Sequence, residues 1–170
     1  TFSQRLKEDS HDYRYFPDPD LLPLVISEEM VEKIRRSMPK SRDAQRSDFI
    51  DVYGLAPAQA QFLTSNHATT TFALAAFAGE PKDVVPSLAN WMAGPLSAKL
   101  NREDLAFSES KVSPSQLKEL HRHVVSGKIS NSTAIGTVLS SMWESGGEPA
   151  EIIQRGNLGQ LSDLGAIEKI

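Results

Sequence analysis

The sequence predicts a mainly α protein: a short extended N-terminal segment followed by two small helical-bundle units. Apolar residues recur at helical spacing from residue 27 onward, serines and glycines bracket these apolar stripes as caps and stops, and the aromatic, proline-rich opening disfavours a helix. The 170 residues, 39% hydrophobic and 24% charged, have a globular composition, and the absence of Cys excludes disulfides and thiolate chemistry. The longest apolar run, 72–78, is far shorter than the ~20 residues that cross a bilayer, so we expect no membrane partner.

The opening, 1–26, is predicted to be extended. Three aromatic residues between positions 13 and 16 alternate with charged residues, three prolines follow, and 24–26 add a last strand-like step. A single strand is not stable without a partner strand. We therefore expect the sheet to which this segment belongs to lie outside this chain or in a partner, as if the sequence began in the middle of a domain.

The unit at 27–108 is predicted to hold five helices. Ser27 caps the first helix, Gly54 ends the second and Pro57 lies in the first turn of the third. Pro86 and Pro95 interrupt the apolar pattern of the last helix, so we expect it to be broken or kinked. The predicted helices span 27–37, 41–53, 57–66, 68–78 and 81–101.

The unit at 109–170 is predicted to follow a polar linker at 102–112. Capping serines, helix-starting prolines and terminating glycines again divide it into helices, and Gly127 is predicted to end the first of them. The chain ends inside an amphipathic segment, so we expect this unit to be truncated at its C-terminus. Its helices are predicted to start at Ser113-Pro114, at Ser130 or Asn131, at Pro149 and at Ser162.

The charged run at 12–20 is the first candidate site. Asp12, Asp18 and Asp20 supply the oxygen ligands that Mg²⁺ prefers, and Arg14 has the bidentate donors that suit a phosphate or a carboxylate. The same charges also suit a solvated edge strand that is protected against aggregation. The residues alone leave both interpretations open.

The helix that begins at Ser113 carries the second candidate site. Lys118, His121 and Arg122 lie on one side of it, and Lys128 follows its end. Lys118 and Arg122 form a like-charge i,i+4 pair, which favours a nearby anion such as an RNA phosphate. The alternative is a solvated helix face, since 111–170 hold six basic and six acidic residues and therefore no basic excess.

The run HDYRYFPDPDL at 11–21 resembles the end of the catalytic domain of the B subunit of glutamyl/aspartyl-tRNA amidotransferase, the GatB family. Further matches follow in the same order and include Ala89-Asn90-Trp91, Ser113-Pro114 and Gly127-Lys128-Ile129-Ser130. The resemblance covers essentially the whole chain. It implies that 1–26 are the remnant of the catalytic cradle domain, 27–108 the helical domain and 109–170 a YqeY-like tail.

The resemblance also implies an activity for the whole complex. In such enzymes an amidase (A) subunit releases ammonia from glutamine, and a small C subunit holds the other two subunits together. The B subunit uses ATP and Mg²⁺ to activate the side-chain carboxylate of Glu-tRNA(Gln) or Asp-tRNA(Asn), which ammonia then converts to the amide. We expect the complex to lie in the bacterial cytoplasm or, alternatively, in a mitochondrial or plastid matrix.

The resemblance gives the candidate residues their expected roles. The cradle side chains are expected at the edge of the kinase-like catalytic site, and the basic side chains are expected to contact tRNA. We expect no metal site, no bound cofactor and no catalysis from this chain alone. The expected catalytic residues are Asp12, Arg14, Asp18 and Asp20, and the expected RNA-binding residues are Lys118, His121, Arg122 and Lys128.

Two features depart from the family pattern. Pro86 and Pro95 lie where an unbroken helix is expected, and Asn131-Ser132 replace a Gly-Lys pair, which removes one possible phosphate contact. Together with the even charge balance of 111–170, the lost lysine keeps a competing hypothesis open. In that hypothesis the chain is a helical protein-interaction module that docks on partner subunits without binding RNA.

Overall fold

The computed structural model describes residues 24–159 and confirms the mainly α fold. No strand occurs within this range, and the strand-like step expected at 24–26 forms no regular structure. The extended run predicted before residue 24 and the helix predicted from Ser162 lie outside the described residues. The chain divides into two compact units between Pro39 and Lys40, and each unit is described by itself.

The described part of the first unit contains one helix, α1 (Glu28–Ser37). The Ser27 Oγ accepts a hydrogen bond of 3.2 Å from the backbone N–H of Met30, which confirms the predicted N-cap. The helix stops before Pro39, as the sequence predicts. No residue of α1 is buried.

The second unit consists of short helices joined by tight turns. Two stretches of π-helix, Met92–Leu96 and Ala134–Val138, connect consecutive α-helices into longer rods, and Phe107–Glu109 form a single 3₁₀ turn. The helices are α2 (Arg42–Asp51), α3 (Pro57–Leu63), α4 (His67–Phe77), α5 (Val85–Trp91), α6 (Ser97–Arg102), α7 (Pro114–Val125), α8 (Asn131–Thr133), α9 (Leu139–Ser145) and α10 (Pro149–Arg155).

Local capping residues set most of these boundaries. The Ser41 Oγ accepts from the backbone N–H of Ala44, which starts α2 where the sequence predicts. Helix α3 ends at Leu63, earlier than predicted, because Asn66 caps the next helix instead of extending this one: its Oδ1 accepts from the Thr69 N–H at 2.8 Å. In both helices the capping side chain belongs to the residue directly before the first helical residue, and it satisfies a backbone N–H that the helix itself leaves without a partner.

The two prolines of the long helical rod act differently. Pro86 lies in the first turn of α5, where a helix has no bond to lose. Pro95 lies inside the first π-helical stretch and supplies no N–H to the ladder. The Oγ of Ser97 donates a bond of 2.7 Å to the Met92 carbonyl within this stretch. The predicted interruption of the helix is thus confirmed at Pro95 alone.

The core of the second unit is one continuous apolar cluster to which every helix from α2 to α10 except α8 contributes. Helix α4 is buried on several sides and packs against α7. The segment 102–112, predicted to be a linker, instead joins this core: Phe107 makes edge contacts with Phe62 and Phe72, and Val112 is fully buried. The prediction that 102–112 is a linker is therefore wrong. The domain boundary predicted at 108/109 stays a prediction.

No helix within 24–159 is both long enough and apolar enough to cross a membrane.

Candidate nucleic-acid interface

Helix α7 presents the basic side chains that the sequence singles out. Its start is doubly capped, because the Ser113 Oγ accepts from the Gln116 N–H while the Gln116 side chain accepts from the Ser113 N–H. Pro114 occupies the first turn. Leu117 and Leu120 are fully buried and hold the helix on the core, so the side chains beside this stripe lie at its edges.

Lys118 contacts the end of α4 rather than extending freely into solvent. Its Nζ donates a hydrogen bond of 2.9 Å to the backbone carbonyl of Ala78. The residue that follows, Gly79, has a φ of 76°, which turns the chain and ends α4. A cation beside the last carbonyls of a helix is favoured by the helix dipole. Lys118 therefore caps the C-terminus of α4.

Arg122 forms an ion pair with Glu80, two residues further along the same turn. The Arg122 Nη2 lies 2.5 Å from the Glu80 Oε1. The Glu80 side chain is only 2% exposed, whereas the Arg122 side chain is 57% exposed. The acid that neutralises the basic pair thus comes from the chain itself, and more than half of the Arg122 side chain still faces solvent.

His121 is buried and does not reach the surface. It is 2% exposed, its ring meets the Trp91 ring edge-on at 5.2 Å between centroids, and its Nε2 lies 2.9 Å from the Ser87 Oγ. Burial lowers the pKa of His121, and the nearby Glu80 carboxylate opposes that shift. Because its ring packs inside the unit, His121 is not available to an RNA phosphate in this structure.

Lys128 lies in the turn after α7 and is exposed. Gly127 precedes it with a φ of 74°, which confirms the predicted stop of α7. Within the described residues, Lys128 takes part in no ion pair. Among the contacts of those residues, its charge is the least engaged of the predicted basic set.

Glu80 and Ser87 join this cluster although the sequence does not predict them there. Both lie more than 30 positions before their partners in α7. A local signal exists for His121, which is four residues after Leu117 and therefore shares its buried face. No comparable signal exists for Glu80, because only the packing of α4 on α7 brings it to Arg122.

The predicted catalytic residues, Asp12, Arg14, Asp18 and Asp20, lie outside the described residues. Among the residues that the structure does describe, no group of three or more His, Asp or Glu side chains could hold a metal ion. The candidate site that the structure describes is therefore the surface formed by α4 and α7. The predicted catalytic residues of the cradle lie outside the part of the chain that it describes.

Comparison with known proteins connects the chain to one family. A model of the GatB domain matches residues 74–170, and a model of the GatB/GatE catalytic domain matches residues 1–32. Among similar proteins are the B subunits of aspartyl/glutamyl-tRNA(Asn/Gln) amidotransferases from Ralstonia pickettii (strain 12J), Geotalea daltonii and Cupriavidus taiwanensis, which are 42%, 41% and 40% identical to this chain.

Each of these alignments covers 100% of this chain but only 35% or 36% of the relative. The chain thus spans about a third of the length of the curated relatives it matches. The matched GatB domain model covers more than half of the chain. On this evidence, the chain belongs to the GatB family.

Proposed function

We propose that this chain is the tRNA-binding C-terminal part of the B subunit of an amidotransferase. That enzyme converts Glu-tRNA(Gln), Asp-tRNA(Asn) or both to the amidated forms, using ATP and glutamine-derived ammonia. The observation that supports this most directly is the match of the whole chain to proteins named as B subunits of aspartyl/glutamyl-tRNA(Asn/Gln) amidotransferases. In this proposal the chain acts beside an amidase subunit and a small third subunit.

The tRNA contact is proposed for the exposed side of α7 and the turn that follows it. Lys128 and the solvent-facing part of Arg122 supply charge, and Lys118 keeps two ammonium hydrogens beyond the one it donates to Ala78. Arg122 likewise has more donors than its contact with Glu80 occupies. His121 is left out of the proposed surface because it is buried. Recognition by such a surface reads the backbone and shape of tRNA rather than its sequence.

The catalytic contribution of the whole protein is proposed to come from a cradle site that uses ATP and Mg²⁺. Residues 1–32 match the GatB/GatE catalytic domain, and Asp12, Arg14, Asp18 and Asp20 fall within that match. We place these side chains at the edge of the cradle and assign them no separate steps. The chain alone is proposed to have no catalytic activity.

Two observations favour a second function, docking on partner subunits. The basic pair of α7 is engaged by Ala78 and Glu80, and residues 111–170 carry equal numbers of basic and acidic side chains. Both features favour a helical module that docks on partner subunits without touching RNA. Phosphate-dependent binding would be weak in that case.

A salt titration separates the two functions. Binding of the chain to tRNA is measured by fluorescence anisotropy across a series of KCl concentrations, with a neutral polymer of similar size as the competitor control. The tRNA-binding function predicts a log–log slope that is clearly negative, since each phosphate contact releases counterions. A flat slope, or equal binding to tRNA and the neutral polymer, would reject it in favour of the docking module.

A further inference from the structure

Helix α1 carries an apolar face that nothing in the described part of its unit covers. Seven of the ten exposed large apolar side chains in the described chain fall within 24–38, although this segment is a small part of it. Scattered exposed apolar residues are ordinary, but a contiguous set marks an interaction surface. These side chains are Leu24, Val25, Ile26, Met30, Val31, Ile34 and Met38, which are 42% to 84% exposed.

The apolar residues of α1 form one stripe. Met30 and Ile34 are four residues apart on one side of the helix, and Val31 lies beside them. Met38, the extended residue that directly follows the helix, adds a further exposed apolar side chain at its end. The other side is charged, and there Glu32 forms ion pairs of 3.2 Å with both Arg35 and Arg36. A helix divided in this way buries its apolar stripe against a neighbour and leaves its charged side in water.

The family match indicates what that neighbour is. The GatB/GatE catalytic domain model matches residues 1–32 and therefore ends within α1, whereas the GatB domain model begins at residue 74. The relatives aligned with this chain are about three times as long as the chain. The apolar stripe thus lies at the end of the match to the catalytic domain model and just beyond it.

We propose that the stripe formed by Met30, Val31, Ile34 and Met38 packs against the body of the catalytic domain. On this view α1 is the last helix of that domain and anchors it to the chain that follows. This differs from the domain boundary expected from the sequence at residue 26. The proposal does not depend on tRNA binding, so each of the two can fail alone.

The test uses hydrogen exchange in a fusion protein. The part of the Ralstonia pickettii B subunit that precedes its matched region is joined to residue 1 of this chain, and exchange of the α1 amides is compared between the fusion and the chain alone. The proposal predicts exchange slowed by about tenfold or more in the fusion, because packing adds to the free energy of local opening. Peptides from α4 and α7 report in both proteins that the second unit is folded.

Two variants of the fusion identify the face responsible. Met30→Glu with Ile34→Glu adds two negative charges to the apolar stripe and should return α1 to fast exchange. Lys33→Glu changes the net charge by the same amount on the charged side and should leave the slow exchange in place. Both variants introduce a residue of good helix propensity, so the comparison isolates the stripe.

The outcomes that overturn the proposal are distinct. Equal exchange rates in α1 with and without the catalytic domain would show that this domain does not cover it. Slow exchange in the chain alone, together with a dimer in sedimentation that the double variant dissociates, would assign the stripe to a second copy. If the fusion does not fold, the same measurement on the helix aligned with α1 in the intact Ralstonia pickettii protein decides: fast exchange there overturns the proposal, and slow exchange supports it.

Discussion

Arg122 and Glu80, 42 positions apart in the sequence, form an ion pair that joins α7 to the end of α4. The pair is asymmetric, because the Glu80 side chain is almost fully buried while more than half of the Arg122 side chain is exposed. The carboxylate therefore depends on Arg122 for its counter-charge. Arg122, in contrast, keeps access to solvent and to any ligand that approaches α7.

The first prediction follows from this asymmetry. Arg122→Ala should lower the free energy of unfolding by about 1–3 kcal/mol, because it leaves the buried Glu80 carboxylate without its partner. Urea denaturation followed by circular dichroism measures the change. Lys128→Ala, which removes an exposed charge from the neighbouring turn, is the control and should change stability by less than about 0.5 kcal/mol.

A double variant sharpens this prediction. Glu80→Gln removes the carboxylate charge, so Arg122→Ala should cost less in the Glu80→Gln background than in the original chain. Additive costs would show that the two side chains do not stabilise the fold through each other.

The second prediction concerns pH. Burial holds the pKa of His121 below its usual value of 6.5, so the unfolded chain takes up a proton more readily than the folded chain. The unfolded state then binds more protons as the pH falls below about 6.5, and stability decreases with falling pH in that window. The free energy of unfolding should therefore be smaller at about pH 5 than at about pH 7.

His121→Gln tests the source of that difference. Glutamine keeps a polar group that can meet Ser87 but does not titrate, so the loss of stability between neutral and mildly acidic pH should shrink in this variant. His67, an exposed residue at the start of α4, is the control, and His67→Gln should leave the difference in place. An unchanged pH dependence in His121→Gln would contradict the assignment.

The third prediction addresses the segment that lacks helical periodicity and was expected to be a linker. The centroid of the Phe107 ring lies 5.3 Å from that of Phe72 and 6.1 Å from that of Phe62. Truncation of Phe107 would leave a gap between these side chains. We expect Phe107→Ala to destabilise the chain by about 2–3 kcal/mol, somewhat less than a fully buried Phe, in denaturant melts. Ser108→Ala, at the next and exposed position, should have almost no effect, and a similarly small effect of Phe107→Ala would restore the linker interpretation.

Most helix boundaries were predictable because they depend on signals within their own turns. The structure of 102–112 and of the basic site was not, because it depends on contacts between residues far apart in the sequence. Ser27, Ser113 and Gly127 act within their own turns, and such signals survive tertiary packing. The 102–112 segment lacks helical periodicity, yet Phe107 reaches the core from a single 3₁₀ turn and Val112 from irregular backbone. Short-range patterns do not contain such contacts.

The candidate site shows the same limit. The like-charge spacing of Lys118 and Arg122 indicated a nearby anion, but it could not distinguish an external phosphate from the Glu80 carboxylate, and it gave no signal for the Ala78 carbonyl. That distinction depends on how α4 packs against α7. The roles of these residues toward RNA therefore stay predictions that mutation has to test.

The fourth prediction separates RNA contact from structure on α7. Lys118→Glu and Arg122→Glu would place new negative charge beside the end of α4 and Glu80, so charge reversal would lower stability as well as RNA affinity. Lys118→Gln with Arg122→Gln removes both charges while keeping side-chain N–H donors for the same acceptors. This neutral variant is therefore the informative one.

If both side chains meet phosphate, the neutral variant should bind tRNA more weakly at low salt, and the slope of log affinity against log salt should become shallower by about 2, close to 1 for each lost contact. Lys128→Gln should reduce the slope by about 1. The matched control is Lys33→Gln with Arg36→Gln on α1, which removes the same charges from a helix outside the proposed surface. Equal losses in the α7 and α1 variants would indicate only a general effect of net charge, and an unchanged slope in the α7 variant would leave Lys118 and Arg122 with the structural role that Ala78 and Glu80 already give them.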